Sequence, residues 1–394
     1  MISTPASRPT RVSFSRLLID NKKIETDMKK ILTICAAFAF SAAAFAQDPA
    51  EAIDAAAQAI AGAPDTPEVV VKPNYWTNSL KTNINVNQTG LTNWAAGGDN
   101  TYTMSGYVDG NANYKKDKVF FNNRLQLNYG FIYADSKPIF QKNTDQIKFE
   151  SKYGRNIKDK WSLTADFTFI SQFTDGYNYK TPGADLITKY GGASATNLDE
   201  LTMDQQKAAW KDARVVKSGF LSPANATLGL GVGYVPNKWL SMNFAPLTGG
   251  LKMVTNPTLR KNYGMDILPK YAEMADDDPE KVAAIADGSA YKQAQFELGA
   301  QFKADVKLVI NDNLSANSQL ILFSNYLKNP QNLRVNWDNR IDWKLTKLFT
   351  LTIVTNLIYD DTILIADEAG IAKQRIQFKE AIGFGFSYTI TNKK

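Results

Sequence analysis

Residues Arg375 to Ile390 read RIQFKEAIGFGFSYTI. Apolar or aromatic side chains stand at Ile376, Phe378, Ile382, Phe384, Phe386, Tyr388 and Ile390, while Gln377, Lys379, Gly383, Gly385 and Ser387 take alternate positions. A period of two puts the two sets on opposite faces of one strand. If this last strand pairs with the first, the chain between them is a sheet wrapped into a cylinder. Glu380 falls on the apolar face, which calls for a place near a membrane boundary or for a bulge that shifts the register.

The same alternation recurs upstream. Leu80, Thr82, Ile84 and Val86 alternate with Lys81, Asn83, Asn85 and Asn87, and every even position of Phe296 to Ile310 is apolar while Glu297, Gln301, Lys303, Asp305 and Lys307 lie between. No helical period gives that pattern. Continued along the chain, it predicts an all-β protein, a transmembrane antiparallel up-and-down β-barrel of about 12 strands over residues 76–394. Alternate links are tight: Lys115 to Lys118, Arg155 to Lys160, Val235 to Lys238, Asn311 to Asn313, and Thr346 to Lys347. The others are mostly longer: Gln88 to Asn100, Ala134 to Asn143, Thr174 to Ala224, Thr255 to Ala294, a short Lys328 to Asn332, and Asp360 to Gln374. Short periplasmic turns and long extracellular loops distinguish such a barrel from a sandwich. Thr202 with Gln205, and Asp278-Pro279, predict helix starts inside the third and fourth long loops. These loops would plug the lumen or stand over its mouth.

Upstream of the barrel, Met28-Lys29-Lys30, the apolar Ile31 to Phe45 and Ala44-Phe45-Ala46 have the form of a secretory signal peptide over residues 28–46. Residues 1–27 then read as an upstream start, and 47–75 as a periplasmic tail with Pro64, Pro67 and Pro73. The leader holds seven of the 45 Lys and Arg and three of the 39 Asp and Glu, so 38 and 36 remain. That balance gives no electrostatic support for nucleic-acid binding. The chain has no histidine and its one cysteine, Cys35, lies in the leader. Ser-His and Cys-His nucleophile pairs, His or thiolate metal sites and disulfides are therefore excluded from the mature chain, and no enzyme, metal or cofactor is expected.

Two segments carry a resemblance. Gln88-Thr-Gly-Leu-Thr-Asn93-Trp94-Ala95-Ala96-Gly97-Gly98-Asp99-Asn100 resembles the Asn-Trp-Ala-Ala-Gly-Gly signature of a Bacteroidetes outer-membrane family catalogued as a domain of unknown function. Phe244-Ala-Pro246-Leu247-Thr-Gly249-Gly250-Leu-Lys252 resembles its Pro-Leu-Ser-Gly-Lys segment, with extra residues before the lysine. The likeness runs from about Trp76 to the C-terminus and implies a barrel in the outer membrane, without a substrate or activity. Gly383, Phe386 and Tyr388 before a short polar tail also resemble the closing-strand signal read by barrel-insertion machinery. Outer-membrane lipid and that machinery are the expected partners.

Three groups of residues are candidates for function. Arg124, Lys148, Glu150, Lys152, Asp166, Arg334, Asp338, Arg340, Asp342 and Lys344 fall on the lumen face. Their mixed charge would set a transverse field across a water-filled pore, or would fill a closed interior with ion pairs. Asn93, Trp94, Gly97 and Gly98 mark the first extracellular loop, with the ring as a stacking surface or as a packing anchor. Trp161, Trp239 and Phe349 follow turns and suit a periplasmic aromatic girdle. Gly229, Gly231 and Gly233 have no helix after them and give no dinucleotide site. The sequence thus leaves two functions open: a channel or uptake protein for small hydrophilic solutes, or a plugged barrel whose extracellular loops engage a partner.

Overall fold

The computed structural model describes residues 74–89, 100–366 and 372–391. The expected signal peptide, the expected tail to Pro73 and the loop residues Asn93, Trp94, Gly97 and Gly98 lie outside the described residues. Twelve strands among the described residues close into an antiparallel barrel: β1 (Trp76–Thr89), β2 (Thr101–Lys116), β3 (Val119–Ala134), β4 (Lys137–Lys158), β5 (Trp161–Ser171), β8 (Ala224–Asn237), β9 (Leu240–Met253), β10 (Ala294–Val309), β11 (Leu314–Asn325), β12 (Arg334–Lys344), β13 (Phe349–Tyr359) and β16 (Gln377–Thr391). Two hairpins lie in the longer links, β6 (Gly176–Tyr179) with β7 (Arg214–Ser218) and β14 (Leu364–Ala366) with β15 (Ala372–Gln374).

The alternation decides the faces. Ile382, Phe384, Phe386 and Tyr388 of β16 and Leu228, Leu230 and Val232 of β8 are exposed on the outside, whereas Asp166, Lys303, Gln319 and Asp342 are buried inside. A barrel that is apolar outside and charged inside is a membrane-spanning one, since lipid takes the apolar face and closure leaves no edge. β16 closes the ring against β1 through Leu80↔Ile390, Thr82↔Tyr388 and Ile84↔Phe386.

Two expectations need correction. Residues 134–143 are not a loop: β3 ends at Ala134 and β4 starts at Lys137, so two residues make the link. The polar run Gln141 to Asp145 continues the ladder, with register shifts between Gly130 and Phe131 and between Ile132 and Ala134. Strand that projects beyond the apolar band need not be apolar outside, so its composition imitates a loop. Glu380 does not sit at a bulge either, because β13 and β16 pair without a shift from Phe349↔Phe386 to Ile358↔Gln377. Its side chain is exposed on the outer face between Phe378 and Ile382.

The third and fourth long loops fold on cores of their own. In the third, α1 (Ala184–Gly191) and α2 (Met203–Ala213) enclose Ile187, Leu201 and Ala209. α2 starts at the expected capping box, in which Thr202 Oγ1 accepts from Gln205 N and Gln205 Oε1 from Thr202 N. In the fourth, Val254, Leu259 and Met265 pack together, and Asp278 caps α3 (Pro279–Asp287) by accepting from Glu280 N and Lys281 N. Gly264, at φ 65, comes so close to the link after β13 that a Cβ on it would lie 2.4 Å from Thr362 O. β9 and β13 are four strands apart in the ring, so the fourth loop leans across the mouth at the loop end.

Candidate functional site: a charged layer across the lumen

β4 and β12 are six places apart in the ring of twelve and therefore face each other across the lumen. Lys148 of β4 donates from Nζ to Asp338 Oδ2 of β12 at 3.3 Å and also to Gln319 Oε1 of β11. Lys303 Nζ of β10 donates to Glu150 Oε1 of β4 at 2.6 Å and lies 3.6 Å from Asp166 Oδ1 of β5. Gln319 Nε2 ties the layer together, donating to Glu150 Oε1 at 3.1 Å and Asp305 Oδ1 at 2.6 Å. Lys152 Nζ stands 3.9 Å from Asp166 Oδ2 on the neighbouring strand. These side chains are mostly buried, so each charge rests on its partners rather than on bulk water. The contacts pass from wall to wall and constrict the bore at this level.

Two further clusters flank this layer. Toward the turn end, the Arg340 guanidinium lies 4.2 Å from the Tyr107 ring centroid and donates from Nε to Asp342 Oδ2 at 3.0 Å. Asp342 also accepts from Lys81 Nζ at 2.6 Å and Thr352 Oγ1 at 2.9 Å. Beside them, Arg124 grips Asp109 with Nε at 2.9 Å and Nη2 at 2.6 Å, a bidentate arrangement that fixes both side chains. Toward the loop end, Arg334 donates to Glu297 from Nη1 at 3.0 Å and Nη2 at 2.5 Å, and Lys252 Nζ donates to Thr362 Oγ1 at 3.0 Å. Asp360, in the link after β13, lies 3.8 Å from Lys252 and 3.9 Å from Arg334. Burial pushes its carboxyl up, but the two cations and Thr362 hold it below the usual carboxylate range.

The interior is packed yet not fully satisfied. Gly229, Gly231 and Gly233 share the inward face of β8, where a Cβ on Gly233 would meet Ser162 and Thr164 of β5, and one on Gly229 would meet Ala245 and Thr248 of β9. These glycines let the walls on either side close in over β8. Asp166 Oδ1 and Oδ2, Thr168 Oγ1, Asn243 Nδ2 and Gln301 Nε2 are buried and make no hydrogen bond to the described protein atoms. Buried polar atoms of this kind are places where water commonly binds.

Nine of the ten expected lumen charges lie in these clusters. Lys344 does not: it is exposed beside the turn after β12 and makes none of the ion pairs. Trp161 is exposed beside Tyr234 on the outer face at the turn end, Trp239 is exposed within the turn between β8 and β9, and the Phe349 ring lies 5.3 Å from that of Phe384, stacked at 8°. Lys81, Tyr107, Asp109, Lys252, Glu297, Lys303, Asp305 and Gln319 complete the clusters without having been singled out. Their signal was available, since each occupies a polar-face position of its strand. What the alternation lacked was the opposite wall. Asp338 and Asp342 belong to different clusters.

A family described as a protein of unknown function, DUF3078, matches residues 86–177, from the end of β1 to the β6 hairpin. No curated protein matches the chain. Among solved structures, it is similar to the translocator domain of autotransporter NalP from Neisseria meningitidis, at 9% identity and TM-score 0.32, covering 88% of this chain and 97% of that one. It is also similar to an outer membrane channel from Pseudomonas putida F1, at 10% identity and TM-score 0.32, covering 84% and 100%. The NanC porin, at 10% identity and TM-score 0.31, covers 79% and 98%. At these scores the likenesses carry no functional argument, and the reading below stands on this chain's own residues.

Proposed function

We propose that the protein is an outer-membrane channel for small hydrophilic solutes, narrowed by side chains and closed at rest by the ion pairs that cross its lumen. The observation that carries this reading is Lys148 bonded to Asp338 and Gln319 on the facing wall, in a bore lined with charge along its length. Side chains can swing aside where a backbone plug cannot, and polar atoms without a hydrogen bond among the described residues, such as Gln301 Nε2 and Asn243 Nδ2, line the flank of the layer. In this reading the turns are periplasmic, the helical loops are extracellular, Trp161, Trp239 and Phe349 belong to the inner girdle, and β16 carries the signal for insertion.

Arg334 and Arg340 guard the two ends of the passage, so Arg334→Ala with Arg340→Ala is expected to shift the reversal potential of the channel's openings toward cation selectivity. Planar-bilayer recordings in a salt gradient test this, and unchanged currents and selectivity would remove both residues from the path. A second reading, a filled barrel working through its loops, is favoured by the separate apolar cores of the third and fourth loops. It predicts no current from either protein.

A further inference from the structure

The outer face of the barrel is mostly apolar; Asn123 of β3 and Ser151 of β4 form one polar pair on it, with Ser151 Oγ donating to Asn123 Oδ1 at 2.8 Å, and a longer polar line crosses it elsewhere. Ser318 of β11, Asn339 of β12, Thr355 of β13 and Glu380 of β16 are register partners on four successive strands. They form an outward row, shown by its bonds: Asn339 Nδ2 donates to Thr355 Oγ1 at 3.1 Å, and Trp337 Nε1 donates to Ser318 Oγ at 2.9 Å. Trp337 and Ile341 bracket the row on β12, Ile353 and Leu357 on β13, and Phe378 and Ile382 on β16. The row therefore crosses the apolar band rather than its rim. Glu380 is exposed there and makes no ion pair or hydrogen bond among the described residues.

A carboxylate and an amide facing lipid are costly, because acyl chains offer neither donors nor acceptors. The row supplies both kinds itself. Asn339 keeps one N–H and its Oδ1, Thr355 keeps its hydroxyl proton, and Glu380 is acceptor only. We propose that this face docks a second copy of the chain, as a two-fold dimer in the membrane whose axis passes between Asn339 and Thr355. A two-fold interface must be self-complementary, and a patch that carries donors and acceptors together meets that condition. Glu380 stands at one end of the row and Ser318 at the other, so the axis keeps the two carboxylates on opposite sides, turns each toward the Ser318 hydroxyl of the facing copy, and sets Asn339 against the facing Thr355. Hydrogen bonds between small polar side chains are a recognised drive for association in lipid, where burial of apolar surface supplies none. The inference uses the membrane setting and is independent of whether the lumen conducts.

Disulfide trapping tests it in the outer membrane of a Gram-negative host, using the full chain with Cys35→Ser so that no other thiol is present. Thr355→Cys lies at the axis, and Leu230→Cys, exposed on β8 five strands away, is the control. The expected result is a disulfide dimer from Thr355→Cys, at least tenfold above Leu230→Cys, that disappears when Asn339→Leu and Glu380→Leu are added while a folded, heat-modifiable monomer remains. Ile353→Cys, one outward step along β13, gives the same reading where Thr355→Cys fails to fold. Folded protein without dimer, equal trapping at Leu230→Cys, a dimer that survives the leucines, or a cross-link to a different protein would each overturn the proposal.

Discussion

Lys303→Met is expected to be the most damaging single replacement among the lumen charges. It leaves Glu150, 2.6 Å from the lost ammonium, and Asp166, at 3.6 Å, as carboxylates in a buried layer. Removing one member of a buried ion pair typically costs about 3–5 kcal/mol, because the remaining charge loses its partner without regaining water. Glu150→Gln in the same chain removes the excess charge and leaves Lys148 to Asp338 and Lys152 to Asp166. The double variant should therefore be more stable than Lys303→Met alone. Urea titration of refolding, followed by heat-modifiable migration, measures both, and strictly additive losses would show that the two side chains act independently.

Gly231 sets the second large effect. It sits where β8 and β9 slip register, between Leu230 and Val232, and a Cβ there would lie 2.1 Å from Phe244 O and 2.5 Å from Ala245 Cα. Backbone on both strands must move to admit it. Overpacking usually costs about 1–3 kcal/mol, and a clash with backbone belongs at or above the top of that range, so Gly231→Val should leave no folded band. Gly106 of β2 is the control: nothing lies within 4 Å of a Cβ placed on it. Gly106→Ala should stay within about 0.5 kcal/mol of the parent. Equal behaviour of the two variants would mean that the β8 glycines do not hold the walls together.

These effects show where the sequence stops being legible. Alternation from Phe296 to Ile310 and from Gln377 to Ile390 revealed strands, faces and closure, because period two has one physical reading. The capping pair Thr202 and Gln205 revealed a helix start in a loop because its bonds are local. Lys148 facing Asp338 was not visible: which strands stand opposite each other follows from the count and stagger of the whole ring. The close approach of Thr248 and Ser162 to the β8 glycines is not legible in the sequence either, because it depends on which strands flank β8. Residues 134–143 misled because a strand that leaves the membrane loses the apolar face that identifies it.

Single-channel current from the refolded protein, compared with a Lys148→Ala variant and a variant lacking residues 174–224, tests the side-chain constriction most directly. A rest state closed by cross-lumen pairs predicts little current from the parent, little from the loop deletion, and frequent openings once Lys148 is gone. Current that appears on deleting the loop, with Lys148→Ala still silent, would contradict it and make the third loop the plug.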